Sequence, residues 1–142
     1  MDSPVERLVS PSLAELLDRL AIDQIKEVKD SPHAAHYAEE IHRIIHDLDV
    51  IFAEAGIACT ARLIRLVIAL AQINLHIWHT KEMMQSGPEH FQECMKLAHQ
   101  LNGIRNQIKN RILEDTGLHE PFAKKTNTAT DSLTGWTLSV LE

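Results

Sequence analysis

The sequence predicts an all-α protein that folds as an up-down four-helix bundle. Gly and Pro number five each in 142 residues and aromatic residues make up 4%, so the turn-rich composition of a β-sandwich is absent. Four segments of comparable length carry apolar residues at helical spacing, and short breaks separate them. The expected organisation is an irregular arm at 1–11, the four-helix bundle at 12–117 and a tail at 118–142.

The first two helices are defined by their ends. Residues 12–15 form a Ser-Leu-Ala-Glu capping box, which predicts that helix 1 begins here and runs to about Lys29. Pro32 stops helix 1, and with the serine before it predicts the start of helix 2. Helix 2 should end near Ala55, because Gly56 favours a helix C-terminus. Its expected core stripe consists of Ala34, Tyr37, Ala38, Ile41, Ile45, Leu48 and Phe52.

A Gly-Pro pair separates helices 3 and 4. Helix 3 is expected to begin at residues 58–60 and to end before Gly87. Helix 4 is expected to run from Pro88 to about Asp115, where Gly117 closes it. Apolar residues occupy most of the circumference of helix 3, which is typical of a central helix or of one that contacts a partner subunit.

The tail regains apolar character after a Thr-rich stretch. Trp136, Leu138, Val140 and Leu141 lie close to the last residue. Two alternatives follow: a frayed terminus, or a segment that packs on its own or on a neighbouring subunit. Together with the apolar helix 3, the tail predicts a homo-oligomer, and a C2 dimer is the expected assembly because it is the commonest closed one.

Composition excludes several classes of function. A formal charge of -6 disfavours binding to nucleic acid or to an anionic membrane. The apolar stretch 63–77 contains Arg65 and amides, and we expect it to be too short and too polar to span a bilayer. Cys59 and Cys94, without a signal-like N-terminus, predict reduced thiols in a cytoplasmic protein. Phosphate-loop, dinucleotide-binding and serine-hydrolase motifs are absent from the sequence.

A line of polar residues runs along the apolar helix 3 and continues on helix 4. Burying such groups without partners costs several kcal/mol, so they must pair, bind a ligand or reach water. Arginine, histidine and amide groups are good donors to phosphates and carboxylates, which predicts a pocket for a small anion. The candidate ligand-binding residues are Arg65, Gln72, His76, His79, Asn102 and Arg105, with Arg62 on the same line. The alternative is a structural network in which Arg105 pairs with Asp18, Asp23 or Glu82.

Two histidine patterns raise a metal site as a further alternative. On helix 2, Glu39-x-x-His42 copies the carboxylate–histidine unit of di-iron bundles, although a second such unit is missing from the sequence. On helix 3, His76 and His79 lie one turn apart and could share a metal. The candidate ligands are therefore His42, His76 and His79. No cofactor is predicted.

The segment 64–115 resembles an uncharacterised bacterial family, described only as a domain of unknown function. The resemblance lies in the Asn-Leu-x-x-Trp-His pattern of residues 74–79 and the Leu-Asn-x-x-Arg-Asn pattern of residues 101–106. The family pattern continues with Glu-Asp, where this chain has Thr-Lys-Glu at 80–82. The resemblance implies an all-helical fold but no known activity. It also implies that Asn74, Trp78, His79, Asn102, Arg105 and Asn106 act as a set.

Three functional hypotheses follow from the sequence. The first is a helical binding or interaction module whose polar pocket between helices 3 and 4 accepts a small anionic ligand. The second is a metal-dependent enzyme that uses histidine and carboxylate ligands inside the bundle. The third is a structural subunit of a larger complex. No residue pattern identifies a reaction, so catalysis stays open.

Overall fold

The structure, a computed structural model, describes residues 10–118 and 133–142 and confirms the all-α four-helix prediction. The four helices are α1 (Leu13–Lys29), α2 (Ala34–Ala55), α3 (Ala61–Ser86) and α4 (Phe91–Thr116). Short 3-10 turns at Ser31–His33 and Pro88–His90 precede α2 and α4, and another at Ser139–Leu141 ends the chain. Most of the arm predicted at 1–11, and residues 119–132 of the predicted tail, lie outside the described residues.

Local interactions set the helix ends close to their predicted positions. The Ser12 hydroxyl accepts the Glu15 backbone N–H at 3.2 Å, and the Thr60 hydroxyl accepts that of Leu63 at 3.1 Å. Gly56 (φ 62°) and Gly117 (φ 74°) adopt the left-handed conformation that ends α2 and α4. The prolines predicted to start α2 and α4 lie instead in the 3-10 turns, so these helices begin two or three residues later.

The helices do not contribute equally to the core. α3 packs along α4, and α1 packs against both of them, so that α1, α3 and α4 enclose the central residues. Within the described residues, α2 packs against only one of the other three helices, α1. Leu66, Leu70, Ile73, Leu101 and Ile108 are completely buried in this core. Because α2 and α3 do not meet, the bundle is open along the line between them.

α3 is both long and strongly apolar. Over its best 18-residue window the mean hydropathy is 1.3, so by length and composition alone this helix could cross a membrane. The expectation that the stretch 63–77 is too short and too polar to span a bilayer concerned only part of this helix, Ala61–Ser86, and it stays a prediction, because the core helix of a water-soluble bundle can meet the same criteria. The bundle buries 39% of that window, and much of the remaining apolar surface lies beside the opening to α2.

Candidate functional site

A buried polar network joins α1, α3 and α4, and Asn74 lies at its centre. The Asn74 side-chain amide donates to Asp18 Oδ1 at 2.8 Å and to the Leu70 carbonyl at 3.1 Å. Its oxygen accepts a hydrogen bond from Arg105 Nη1 at 3.1 Å, and Arg105 Nη2 donates to the Asn102 side-chain oxygen. Asn74 therefore connects an acid on α1 with a guanidinium on α4.

Lys109 extends this network along α1 and α4. The residue is only 5% exposed, and its ammonium donates to Glu15 Oε1 at 2.7 Å while lying 3.6 Å from Asp18 Oδ2. The Asp18 carboxylate thus meets a cation on one oxygen and an amide on the other. A buried charge arranged in this way is compensated by its neighbours, as burial in a low-dielectric core requires.

The network differs from the structural alternative drawn from the sequence. Arg105 bonds to the amides Asn74 and Asn102, so the predicted pairing with Asp18, Asp23 or Glu82 is wrong. Its Nε is buried and has no hydrogen-bond partner among the described residues. The cation that meets Asp18 is Lys109, which was not among the residues predicted from the sequence. Its position one turn after Arg105 and directly after the core residue Ile108 was an available signal.

The outer part of the polar line binds the C-terminal segment, residues 133–142. Arg65 Nη2 donates to the Ser139 hydroxyl at 2.8 Å, and Arg62 Nη2 donates to the Val140 carbonyl at 2.9 Å. Arg62 also pairs with Asp115 on α4. A different contact binds the start of the segment to α3: Trp136 Nε1 donates a hydrogen bond to His76 Nδ1 at 3.2 Å.

The same segment also contacts α4 and the core. Arg111 Nη2 donates to the Leu141 carbonyl at 2.8 Å, and Val140 is 2% exposed within the core cluster. Residues 133–142 of the tail therefore pack on their own bundle and do not form a frayed terminus. Arginine side chains bind its backbone carbonyls, and one valine anchors it in apolar surroundings.

The six candidate ligand-binding residues therefore divide into three pairs. Asn102 and Arg105 belong to the inner network, whereas Arg65 and His76 hold the C-terminal segment. Gln72 and His79 are exposed, and His79 Nδ1 lies 3.2 Å from Glu82 Oε1. The structure thus brings the polar residues into contact with protein groups at different places rather than around one shared opening.

The candidate metal ligands are separated in the same way. His42 is exposed on α2, which does not contact the helix that carries His76 and His79. The Glu39 carboxylate accepts a 2.7 Å hydrogen bond from Arg43 in an exposed ion pair. Within residues 10–118 and 133–142, His, Cys, Asp and Glu side chains form no group of three that could hold a metal ion.

An acidic pair between α1 and α2 was not predicted. Asp23 is 4% exposed, and one of its carboxylate oxygens has no partner among the described residues. Burial raises the pKa of Asp23, and the neighbouring Glu40 carboxylate raises it further by repulsion and by hydrogen bonding to the protonated form. The α1–α2 contact therefore contains an acid whose ionisation opposes folding.

An open apolar groove lies between α2 and α3, and α1 forms its floor. It consists of two adjoining depressions of about 320 Å³ and 510 Å³, which share Leu17, Leu20, Ile45 and Val67. Four large side chains on its walls remain substantially exposed: Ile45 (46%), Ile64 (49%), Ile68 (62%) and Leu75 (40%). The sequence placed Ile45 in the core, but among the other three described helices α2 contacts only α1, and this side chain remains 46% exposed.

Comparison with known proteins adds no identification. No protein-family model, curated protein or solved structure matches the chain. The resemblance over 64–115 therefore stays a prediction. Of the residues it implies act as a set, Asn74, Asn102 and Arg105 are joined by direct hydrogen bonds, whereas His79 is exposed beside Glu82.

Proposed function

We propose that the protein is a helical interaction module that binds an apolar helical surface in the groove between α2 and α3. The observation that carries this proposal is the continuous run of exposed aliphatic side chains on two helices that do not touch each other. A groove of this form is the usual receptor for an amphipathic helix. It replaces the polar pocket between the third and fourth helices as the binding site that we favour.

The size of the uncovered surface supports a binding role. Single exposed hydrophobic residues are common, but a contiguous apolar patch on a small protein marks an interaction site. Covering the exposed halves of Ile45, Ile64, Ile68 and Leu75 would contribute on the order of 3–6 kcal/mol before the entropic cost of association. The side chains that would supply this free energy are the ones that line the walls of the open groove.

The inner polar network argues against an anion pocket between α3 and α4. Asp18, Asn74 and Lys109 are buried and bonded to one another or to neighbouring helices. An anion entering between α3 and α4 would have to break these hydrogen bonds and leave charged groups without partners. The network is better suited to fixing the register of α1, α3 and α4 than to releasing them for a ligand.

Methyl NMR of the purified protein tests whether the groove is a binding surface. A soluble gadolinium chelate broadens methyl signals that solvent reaches, so the δ1-methyls of Ile45, Ile64 and Ile68 report whether the groove is covered. We expect an occupant of the groove to shield these methyls from the chelate. The methyls of Val28, which is 70% exposed, should be broadened. If they are broadened instead, the environment-sensitive dye ANS (8-anilinonaphthalene-1-sulfonate) should bind in the groove and lose that binding in Ile68→Glu. A groove that is both exposed and inert to the dye would overturn the proposal.

A further inference from the structure

The two walls of the groove carry matching apolar stripes. On α2 the stripe consists of Ile41, Ile45, Leu48 and Phe52, and on α3 of Ile64, Ile68, Ala71 and Leu75. Both follow the 4-3-4 spacing of a coiled-coil seam. Ile41 lies with Leu75 at one end of the groove and Phe52 with Ile64 at the other, so the stripes run side by side in opposite directions. The pair therefore forms one half of an antiparallel four-helix arrangement.

Building on the groove as the binding site proposed above, we propose that its occupant is a second copy of this chain, related by a two-fold axis that runs along the groove. This operation places α2 of each copy against α3 of the partner. Every neighbouring pair among the four helices is then antiparallel, as in an up-down bundle. The two stripes of each copy then line one shared apolar core around the axis, and the walls of the two grooves meet.

Charge decides which helix faces which. α2 contains five acidic residues, Glu39, Glu40, Asp47, Asp49 and Glu54, against one basic residue, Arg43. α3 contains three basic residues, Arg62, Arg65 and Lys81, against one acidic residue, Glu82. Packing α2 on α2 of the partner would bring two acidic helices together, whereas packing α2 on α3 of the partner brings opposite charges together.

One specific pair follows from this geometry. Asp49 lines the groove together with Ile64, is exposed, and makes no ion pair within residues 10–118 and 133–142. Arg65 directly follows Ile64 and donates to the Ser139 hydroxyl, and it makes no ion pair with any residue that the structure describes. A two-fold axis along the groove keeps each residue at its own height. Asp49 of one copy therefore faces Arg65 of the partner subunit, and the pair occurs twice in the dimer.

The available area is sufficient for a stable dimer. α2 has 22 residues, so the face it shares with α3 is about 33 Å long, and two helix diameters make it about 20 Å wide. Such a face covers about 660 Å² on each copy, or about 1,300 Å² in the pair. Specific protein interfaces begin at about 1,200 Å². The four exposed aliphatic side chains lie within this face.

Sedimentation equilibrium on the full chain tests the proposal. We expect wild type to be dimeric at micromolar concentration and Ile68→Glu to be monomeric, because the substitution places two carboxylates, one from each copy, in the shared apolar core. Met95→Glu is the matched control, because Met95 is 50% exposed on α4, away from the groove, and Ile68 is 62% exposed. This control should remain dimeric, and circular dichroism should show equal helicity for all three proteins.

A charge exchange tests the arrangement of the two copies. Asp49→Arg and Arg65→Asp should each weaken the dimer by about tenfold or more, because each places like charges opposite one another twice. The double variant should regain most of the wild-type dimer affinity. A dimer unaffected by Ile68→Glu, or a double variant no better than the single ones, would overturn the inference.

Failure of the inference and failure of the proposed function are distinguishable. A monomeric wild type whose groove methyls are shielded from the gadolinium chelate has another occupant, which overturns the second copy but keeps the groove as a binding surface. A monomeric wild type whose groove is exposed and does not bind the dye overturns both.

Discussion

Replacement of Lys109 by methionine is the most informative perturbation of the core. The methionine fills nearly the same volume but removes the ammonium that lies 2.7 Å from Glu15 and 3.6 Å from Asp18. The Glu15 side chain is 28% exposed and can turn toward water. The Asp18 side chain is 9% exposed and held by Asn74, so its charge stays buried without a cation.

The expected cost follows from that uncompensated charge. Removing one partner of a buried ion pair destabilises a protein by about 3–5 kcal/mol. Total stability is about 5–15 kcal/mol for a domain, so Lys109→Met should lower the free energy of unfolding by a large fraction and Tm by roughly 10–15 °C. Arg105→Met provides the comparison, because it leaves the neutral amides Asn74 and Asn102 behind and should cost about 1–3 kcal/mol.

Urea unfolding followed by circular dichroism measures these differences, and a second substitution checks their cause. Asp18→Asn added to Lys109→Met removes the buried negative charge while an amide oxygen still accepts from Asn74. The double variant should therefore recover most of the loss. The reasoning is refuted if Lys109→Met costs no more than Arg105→Met, or if the double variant is as unstable as Lys109→Met alone.

Three further predictions concern other parts of the fold. Burial and Glu40 raise the pKa of Asp23 in the native state above its ordinary value of 3.8. The protonated acid therefore stabilises the native state fully at pH values below the ordinary pKa, and this stabilisation is lost as pH rises through the native pKa. Asp23→Asn should therefore raise Tm by roughly 3–5 °C at pH 7 and by clearly less at pH 4, whereas an equal gain at both values would show that the ionisation of Asp23 is not what destabilises the fold. Gly56→Ala should cost about 1 kcal/mol in urea unfolding, since φ is 62° and an added Cβ meets no atom within 4 Å; a neutral effect would argue against the left-handed end of α2. Val140→Asp should detach the C-terminal segment, so that hydrogen exchange of residues 133–142 rises on the order of tenfold while α4 stays protected, and unchanged exchange in the segment would show that Val140 does not anchor it.

The sequence by itself determined the helices and most of their ends. A cap such as Ser12 or Gly56 acts within three or four residues, and an apolar stripe repeats within two turns, so both are visible in a short window. The number of helices, their order and the central place of the third helix followed from these local signals. Pro32 misplaced the start of α2 by two residues because a 3-10 turn accommodates proline equally well.

Only the tertiary structure decided which faces meet. Arg65 and Arg105 carry the same charge on apolar helices, yet one binds Ser139, 74 residues away, and the other binds Asn74, 31 residues away. Ile45 and Leu48 lie on the same apolar stripe of α2, yet of these two only Leu48 is buried. The reason is that α2 packs against α1 and does not contact α3, so the side of the stripe toward α3 stays exposed. Helical periodicity fixes the side on which a residue lies. Its partner depends on how distant segments pack, and no local pattern contains that information.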